Sequence, residues 1–395
     1  MDGIDGEAAD YHIGVHDGLD SVPAAEWDAL LDDAPHPTPF LRHAYLQALN
    51  DSGSAQQATG WTPQLITIHQ GKSLVGATAA YLKTHSYGEY VFDWAWADAY
   101  ARHGLPYYPK LLAAVPFTPV PGSRLLARDQ PVRRLLIRTL QQLAEQAGLS
   151  SAHLLFMDEA DADAARAEGW LMRSGVQFHW TQDPKQPHQD LAAYLASLQR
   201  DKRKKIQQER RKVAEAGVVF RSLEGPEITE ADWDFFHHCY TLTYRAHHAT
   251  PYLSRAFFKA MAHSMPQHWL LFVAERGGQR VAASLLSIDR AQGAAWGRYW
   301  GAVEPISCLH FEACYYQPLA WCIDHCFQRF EGGAQGEHKM ARGLLPVATQ
   351  SAHWLAHPQF SQAVEDFLAR EGAGMEAYLD ELRDRNPFRS SGGGT

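Results

Sequence analysis

Residues 64–82, QLITIHQGKSLVGATAAYL, and residues 270–288, LLFVAERGGQRVAASLLSI, follow one plan: apolar strand, glycine turn, apolar strand. That order is the signature of a β-hairpin. The two stretches also keep step. Leu65 matches Leu271, Gly71 matches Gly277 and Val75 matches Val281, each at an offset of 206. Downstream, Trp94 matches Trp300 at the same offset, and Tyr107-Tyr108 matches Tyr315-Tyr316 at 208. Self-similarity at a fixed offset marks a repeated supersecondary unit. The expected fold class is therefore α/β with mixed sheets, in two tandem copies. Each copy should run hairpin, aromatic strand, helix and final strands.

The rest of the chain is organised around these copies. Leu191, Leu195, Leu198, Ile206 and Val213 give a helical stripe across a basic run, and Gly217 stops it in the C-cap position. Val218-Val219-Phe220 then opens a strand, and a helix is expected from about Glu230 to Ala246. In the second copy a helix is predicted over Leu309–Phe330, bent or broken at Pro318. The expected divisions are an N-terminal domain at 1–185, a basic linker helix at 186–217, a C-terminal domain at 218–388 and a disordered tail at 389–395.

Composition narrows the function classes. The 395 residues carry 36 basic and 45 acidic side chains, a formal charge of −9, which disfavours nonspecific DNA binding. No run of about 18 apolar residues is present, and the N-terminus MDGIDGEAADYHIG lacks the apolar core of a signal peptide. Five clustered cysteines, an odd number, fit a reducing compartment better than a disulfide framework. The expectation is a cytoplasmic protein with no transmembrane segment.

Several strings occur together: HSYGEYVFDWAWADAY at 85–100, YYPKLLAAVPFTPV at 107–120, RKKIQQERRKV at 203–213, GRYWGA at 297–302, LHFEACYYQ at 309–317 and FEGGAQGEHKMARGLLPV at 330–347. This set resembles the bacterial FemAB-like family, predicted N-acyltransferases of peptidoglycan biosynthesis or recognition within the acetyltransferase (GNAT) superfamily. The resemblance implies tandem GNAT-like acyltransferase domains joined by a basic helix. It implies transfer of an acyl or aminoacyl group from acyl-CoA or aminoacyl-tRNA to an amine acceptor. The acceptor would be a small molecule or a peptidoglycan precursor, with tRNA a candidate partner and no permanently bound cofactor. The alternative is a non-catalytic module that recognises a cell-wall fragment or a nucleotide ligand.

Candidate residues fall in four groups. In the basic run, Lys202, Arg203, Lys205 and Arg210 are expected to grip phosphates. The alternative there is a solvated helix face, with Glu209 and Glu215 as intrahelical partners. Along 89–100, strand periodicity puts Glu89 and Asp93 on one face, suited to acid–base work or to orienting an amine. Trp94, Trp96, Asp98 and Arg102 would line the substrate beside them. In the second copy Arg298 is placed to stabilise an oxyanion, and Trp300 to line the substrate. His310 would serve as a base with Glu312 as its partner, although i, i+2 sets them on different helix faces. The resemblance implies a proton-donor role for Tyr315 or Tyr316. Finally, Gly332, Gly333 and Gly336 let backbone approach a ligand closely, beside Glu337, His338 and Lys339. The expected catalytic set is Asp93, Arg298, Glu337, His338, Tyr315 and Tyr316, in a channel at or between the domains. No metal is expected. His310-x-Glu312 with Cys322-x3-Cys326 lacks the Pro-Cys-x-x-Cys spacing of zinc deaminases.

Overall fold

A computed structural model describes residues 10–334 and 336–389. The chain divides into two compact units. The first runs to Ser174 and includes Gln350–Gly372; the second comprises Gly175–Thr349 and the residues from Ala373 onward. The division falls eleven residues before the boundary expected at 185/186, and the basic helix lies wholly within the second unit. The tail expected to be disordered falls, from residue 390, outside the described residues.

The first unit contains β1 (Tyr11–His16), α1 (Ala24–Asp32), α2 (His43–Asp51), β2 (Trp61–Pro63), β3 (Leu65–Gln70), β4 (Ser73–Thr78) and β5 (Ala80–Lys83). It continues with α3 (Trp94–Arg102), β6 (Lys110–Ala113), β7 (Leu125–Ala127), α4 (Gln130–Gln146), β8 (Ser151–Met157) and α5 (Glu159–Ala167). One sheet has the order β1-β3-β4-β7 and is antiparallel throughout. A second runs β2-β5-β6-β8, with β6 and β8 parallel and residues 350–355 antiparallel to β8. Helix α4 starts where Asp129 accepts the Val132 N–H at 2.9 Å, an N-cap bond. Its Val132, Leu136, Leu140 and Ala144 repeat every four residues and bury against Ile66, Ile68 and Leu154. Each large side chain so buried contributes about 1.5–3 kcal/mol.

β9 (Leu171–Thr181) carries the chain into the second unit, followed by α6 (Leu191–Ser197), α7 (Arg200–Glu215), β10 (Val218–Glu224), α8 (Glu230–Ala246), α9 (Arg255–Ser264), β11 (Trp269–Arg276), β12 (Gln279–Asp289) and β13 (Ala294–Ala302). Next come α10 (Leu309–Phe311), a π-turn (Glu312–Tyr316), α11 (Gln317–Asp324), β14 (Arg329–Glu331) and β15 (Leu345–Leu355), which returns to the first unit. The last helix is α12 (Pro358–Asp384). The sheet of this unit runs β10-β11-β12-β13-β14-β9, with β13 and β14 parallel. β11 and β12 are buried almost end to end, as expected for strands covered on both faces. On one face Leu270, Phe272, Leu286 and Ile288 pack with Leu195, Ile206 and Leu319 from α6, α7 and α11. On the other, Trp233 of α8 stacks on Phe258 of α9, with ring centroids 5.9 Å apart.

The two hairpins form as expected, β3–β4 and β11–β12, each with a two-residue loop. Gly277 and Gly278 both take positive φ, 58° and 77°, which a tight hairpin turn of this kind requires. The repeat does not extend to the aromatic landmarks. Residues 89–93 are loop, and 94–102 are helix α3 rather than strand, so Trp94 opens a helix while Trp300 lies in β13. Tyr107-Tyr108 precede β6, whereas Tyr315-Tyr316 sit in the π-turn. The predicted helix at 309–330 ends at Asp324. Pro318 lies in the first turn of α11, where its missing N–H is tolerated. The single helix expected from 191 also breaks: Leu198 is extended and forms a bridge with Phe388.

Candidate functional site

Two groups of polar side chains stand out, one in each unit. In the first unit the loop 84–93 turns Glu89 and Asp93 inward onto Lys110 of β6. Lys110 is fully buried and donates to Glu89 Oε2 at 2.7 Å, to Ser86 Oγ at 2.9 Å and to Asp93 Oδ2. The Tyr107 hydroxyl donates to Asp93 at 2.6 Å and stands 3.3 Å from His153 Nε2; His153 in turn meets His353 at 2.8 Å. Burial pushes Glu89 up to about 7. It pushes Asp93 the same way, but the Lys110 ammonium outweighs it and holds Asp93 well below the usual range. Burial brings the neighbouring Lys83 amine down to about 7 and His153 to about 3. Glu89 and Asp93 are thus brought together, by a loop rather than by strand periodicity. With both carboxylates and both lysines buried, the arrangement pins the loop. Trp96 is buried beside His353, whereas Trp94, Asp98 and Arg102 are exposed on α3.

The second unit presents an open site. Among the described residues β13 pairs with β14 over Ala294–Trp296 and continues to Ala302 past the end of that ladder, leaving the sheet splayed there. After Glu331 the chain turns through Gly332-Gly333 beside the splay. A Cβ on Gly332 would lie 2.8 Å from the Leu344 methyl and 3.3 Å from Lys339, so a side chain there would push both aside. The segment expected as a loop is a 3₁₀ turn, Glu337–Arg342. Lys339 lies buried within it and donates to Gly333 O at 2.8 Å; burial lowers its amine to about 8. His338 is exposed, and its Nε2 meets the Tyr315 hydroxyl at 3.1 Å. Burial lowers His338 below its ordinary value and raises Tyr315 well above the usual phenol range. The pair is therefore a neutral imidazole and a neutral phenol near pH 7.

Behind the turn stands a clamp. Arg342 donates to His338 O at 2.7 Å and to Glu209 Oε2 at 3.0 Å, and its guanidinium lies 3.6 Å over the Phe311 ring. Tyr316 donates to the same Glu209, and Tyr194 to Arg342 O at 2.9 Å. Tyr316 thus positions the turn from below. His310 rests on Trp300, with centroids 4.7 Å apart, and edges onto Tyr315 at 5.7 Å. Glu337 points away to Arg385 and Tyr378, at 2.5 and 3.2 Å. Arg298 donates to Tyr299, whose ring packs on Tyr240. Of the expected catalytic set, Tyr315 and His338 come together around the splay, joined by Lys339 and His310, which were expected to line the substrate. Glu337 faces outward, and Asp93 belongs to the first unit.

The basic run divides by helix face. Arg203 and Arg210, with Gln207 and Arg211, line an open cavity of about 570 Å³. Lys202 pairs with Asp201 at 3.1 Å and borders a separate cavity of about 290 Å³ that also reaches His338. Lys205 is exposed elsewhere on the helix. Glu312 is buried and accepts from Arg210 at 3.1 Å and from Gln317 at 2.8 Å, so its partner is Arg210 and not His310. Glu209, a solvated partner in the sequence reading, is buried under Arg342. Reading the sequence also missed Lys110 and Arg342. A lone lysine in the apolar run PKLLAAVPF is a usable signal, because a buried ammonium demands a carboxylate. Arg342 carries no local signal.

Residues 18–390 match the model of the FemAB-like family, described as peptidoglycan biosynthesis/recognition. The chain matches no curated protein. Among solved structures it is similar to FemX, at 10% identity and a TM-score of 0.53, covering 87% of this chain and 98% of that one. It is likewise similar to L-PGS from Bacillus licheniformis, at 10% identity and 0.53, covering 88% and 97%. A tandem GNAT protein from the clavulanic acid biosynthesis pathway aligns at 11% identity and 0.47, covering 88% and 99%. At such identities the likeness is one of fold.

Proposed function

This chain belongs to the FemAB-like family, and from that premise we propose that it transfers an acyl or aminoacyl group from acyl-CoA or aminoacyl-tRNA to an amine acceptor. The acceptor we favour is a peptidoglycan precursor, as the family's description suggests. The observation that carries the reading is the splay of β13 from β14, with Lys339 and the Tyr315–His338 pair beside it. The opening between β13 and β14 beyond Trp296 would take an extended donor chain. The acceptor nitrogen attacks the donor carbonyl carbon, a C–N bond forms, and the bond to the leaving sulfur or oxygen breaks. The Lys339 ammonium and backbone N–H groups stabilise the oxyanion. His338 takes the amine proton, Tyr315 protonates the leaving group, and the 3.1 Å contact between them returns the proton to Tyr315. No covalent enzyme intermediate is needed.

The test is transfer of radiolabel from acyl-CoA and from charged tRNA to a lysine-containing peptidoglycan precursor. Turnover should fall about 10²–10⁴-fold in His338→Ala and Tyr315→Phe, with melting temperature nearly unchanged. Absence of transfer from both donors, in protein shown to be folded, would leave the binding-module alternative in place.

A further inference from the structure

The cavity under α7 is built differently from a phosphate patch. Arg203, Gln207, Arg210 and Arg211 share one helix face at i, i+4, i+7 and i+8, and together they form its polar wall. Leu195, Val213, Val218 and the half-buried ring of Phe220 supply its apolar lining. The Glu312 carboxylate, held by Arg210 and Gln317, also lines the cavity. Arg203 spends one N–H on Ala196 O at 3.3 Å. Arg211 is exposed and makes no hydrogen bond or ion pair among the described residues. Two guanidiniums thus retain donors for a ligand.

We propose that this cavity takes a nucleoside phosphate. Phosphate oxygens would lie between Arg203 and Arg211, ribose hydroxyls against the Glu312 carboxylate, and the base on the Phe220 ring. Each part answers to one moiety. Guanidiniums chelate phosphate. A carboxylate accepts from ribose hydroxyls, as in dinucleotide sites. An aromatic face stacks a base whatever its sequence. A bare phosphate would leave the apolar wall unused, and an acyl chain would leave the remaining donors of Arg203 and Arg211 unmet. About 570 Å³ lies within the range of small-ligand sites. The assignment names part of a substrate of the proposed transfer and rests on that reading for its meaning. The chemistry is shared by CoA, by the 3′ end of a tRNA and by a nucleotide-linked acceptor.

The full chain would be titrated calorimetrically with ADP, UDP, CoA, a short RNA hairpin ending in CCA, and pyrophosphate. Saturable binding of ADP or UDP is expected, at least tenfold tighter than pyrophosphate, and weaker for 2′,3′-dideoxy-ADP. Arg211→Gln and Phe220→Leu should each weaken it about tenfold. Arg211 is exposed, so its variant folds even if the Phe220 variant does not. Preference for CoA, the hairpin or UDP identifies the source. The proposal falls if no nucleotide binds at millimolar concentration, if Arg211→Gln leaves the Kd unchanged, or if pyrophosphate binds as well as ADP. Because the readout is binding, a chain that binds but transfers nothing retains this site and sinks the transferase reading. One that transfers without binding nucleotide here does the reverse.

Discussion

Lys339 is buried at a cost that its hydrogen bond to Gly333 O does not offset. Its amine is inside the turn, with Gly333 O accepting from it, and is lowered from 10.5 to about 8. That difference corresponds to about 3 kcal/mol. The sign follows from linkage. A lysine with a depressed folded pKa binds fewer protons folded than unfolded between about 8 and 10.5, so stability rises with pH across that window. Below 8 the penalty is fully present. Lys339→Met should therefore stabilise the chain at pH 7 by up to about 3 kcal/mol in denaturant titration. It should also flatten the rise between pH 8 and 10.5. A cost retained at a cleft is the mark of a functional group. In the transfer assay, activity should decline as pH passes about 8 and Lys339 loses its proton. Lys339→Arg should remove that alkaline limb. An unchanged limb in Lys339→Arg would assign the titration to another group.

At the scale of elements, loop 84–93 and β6 depend on one another through Lys110. Removing the ammonium alone leaves Glu89 and Asp93 as buried charges without a cation, a loss of about 3–5 kcal/mol. Lys110→Met should show that loss, and the triple change Lys110→Met/Glu89→Gln/Asp93→Asn should recover most of it. Failure of the triple change to recover would mean that packing, not charge, holds the loop. Glu89 adds a pH signature. Its folded pKa of about 7 lies above 4.5, so its contribution is full below 4.5 and fades as pH rises through 7. Glu89→Gln should remove that slope. The same region shows why element type was hard to read. Trp94, Trp96, Asp98 and Tyr100 alternate as a strand would, yet the buried pair Trp96 and Tyr100 is i, i+4, and Asp93 precedes the run as helix-starting residues do. Period two and period 3.6 coincide over so short a stretch. The helix won because its two buried rings reach Leu355 and Leu368.

Across the whole molecule, what was legible is what is local. The two hairpins, α8 from Glu230 to Ala246, and the glycine stop at Gly217 all follow from patterns a few residues long. The chemistry at His338, Lys339 and Tyr315 was visible as residue types on a glycine-rich stretch, but the Glu209–Arg342 clamp joins positions 133 apart and left no trace in spacing. The return of residues 350–372 to the first unit was hidden for the same reason. There 350–355 pair with β8, and Leu355, Val364 and Leu368 close a core over Trp96, Tyr100 and Tyr107. A fragment ending at Ser174 would expose that core and the β8 edge, both aggregation hazards. It should lack a cooperative thermal transition and bind a hydrophobic dye. Joining residues 350–372 to it through a flexible linker should restore one transition, since loop closure costs little as length grows. If the fragment ending at Ser174 melts cooperatively by itself, the returning segment is an ornament on a complete unit and not part of its core.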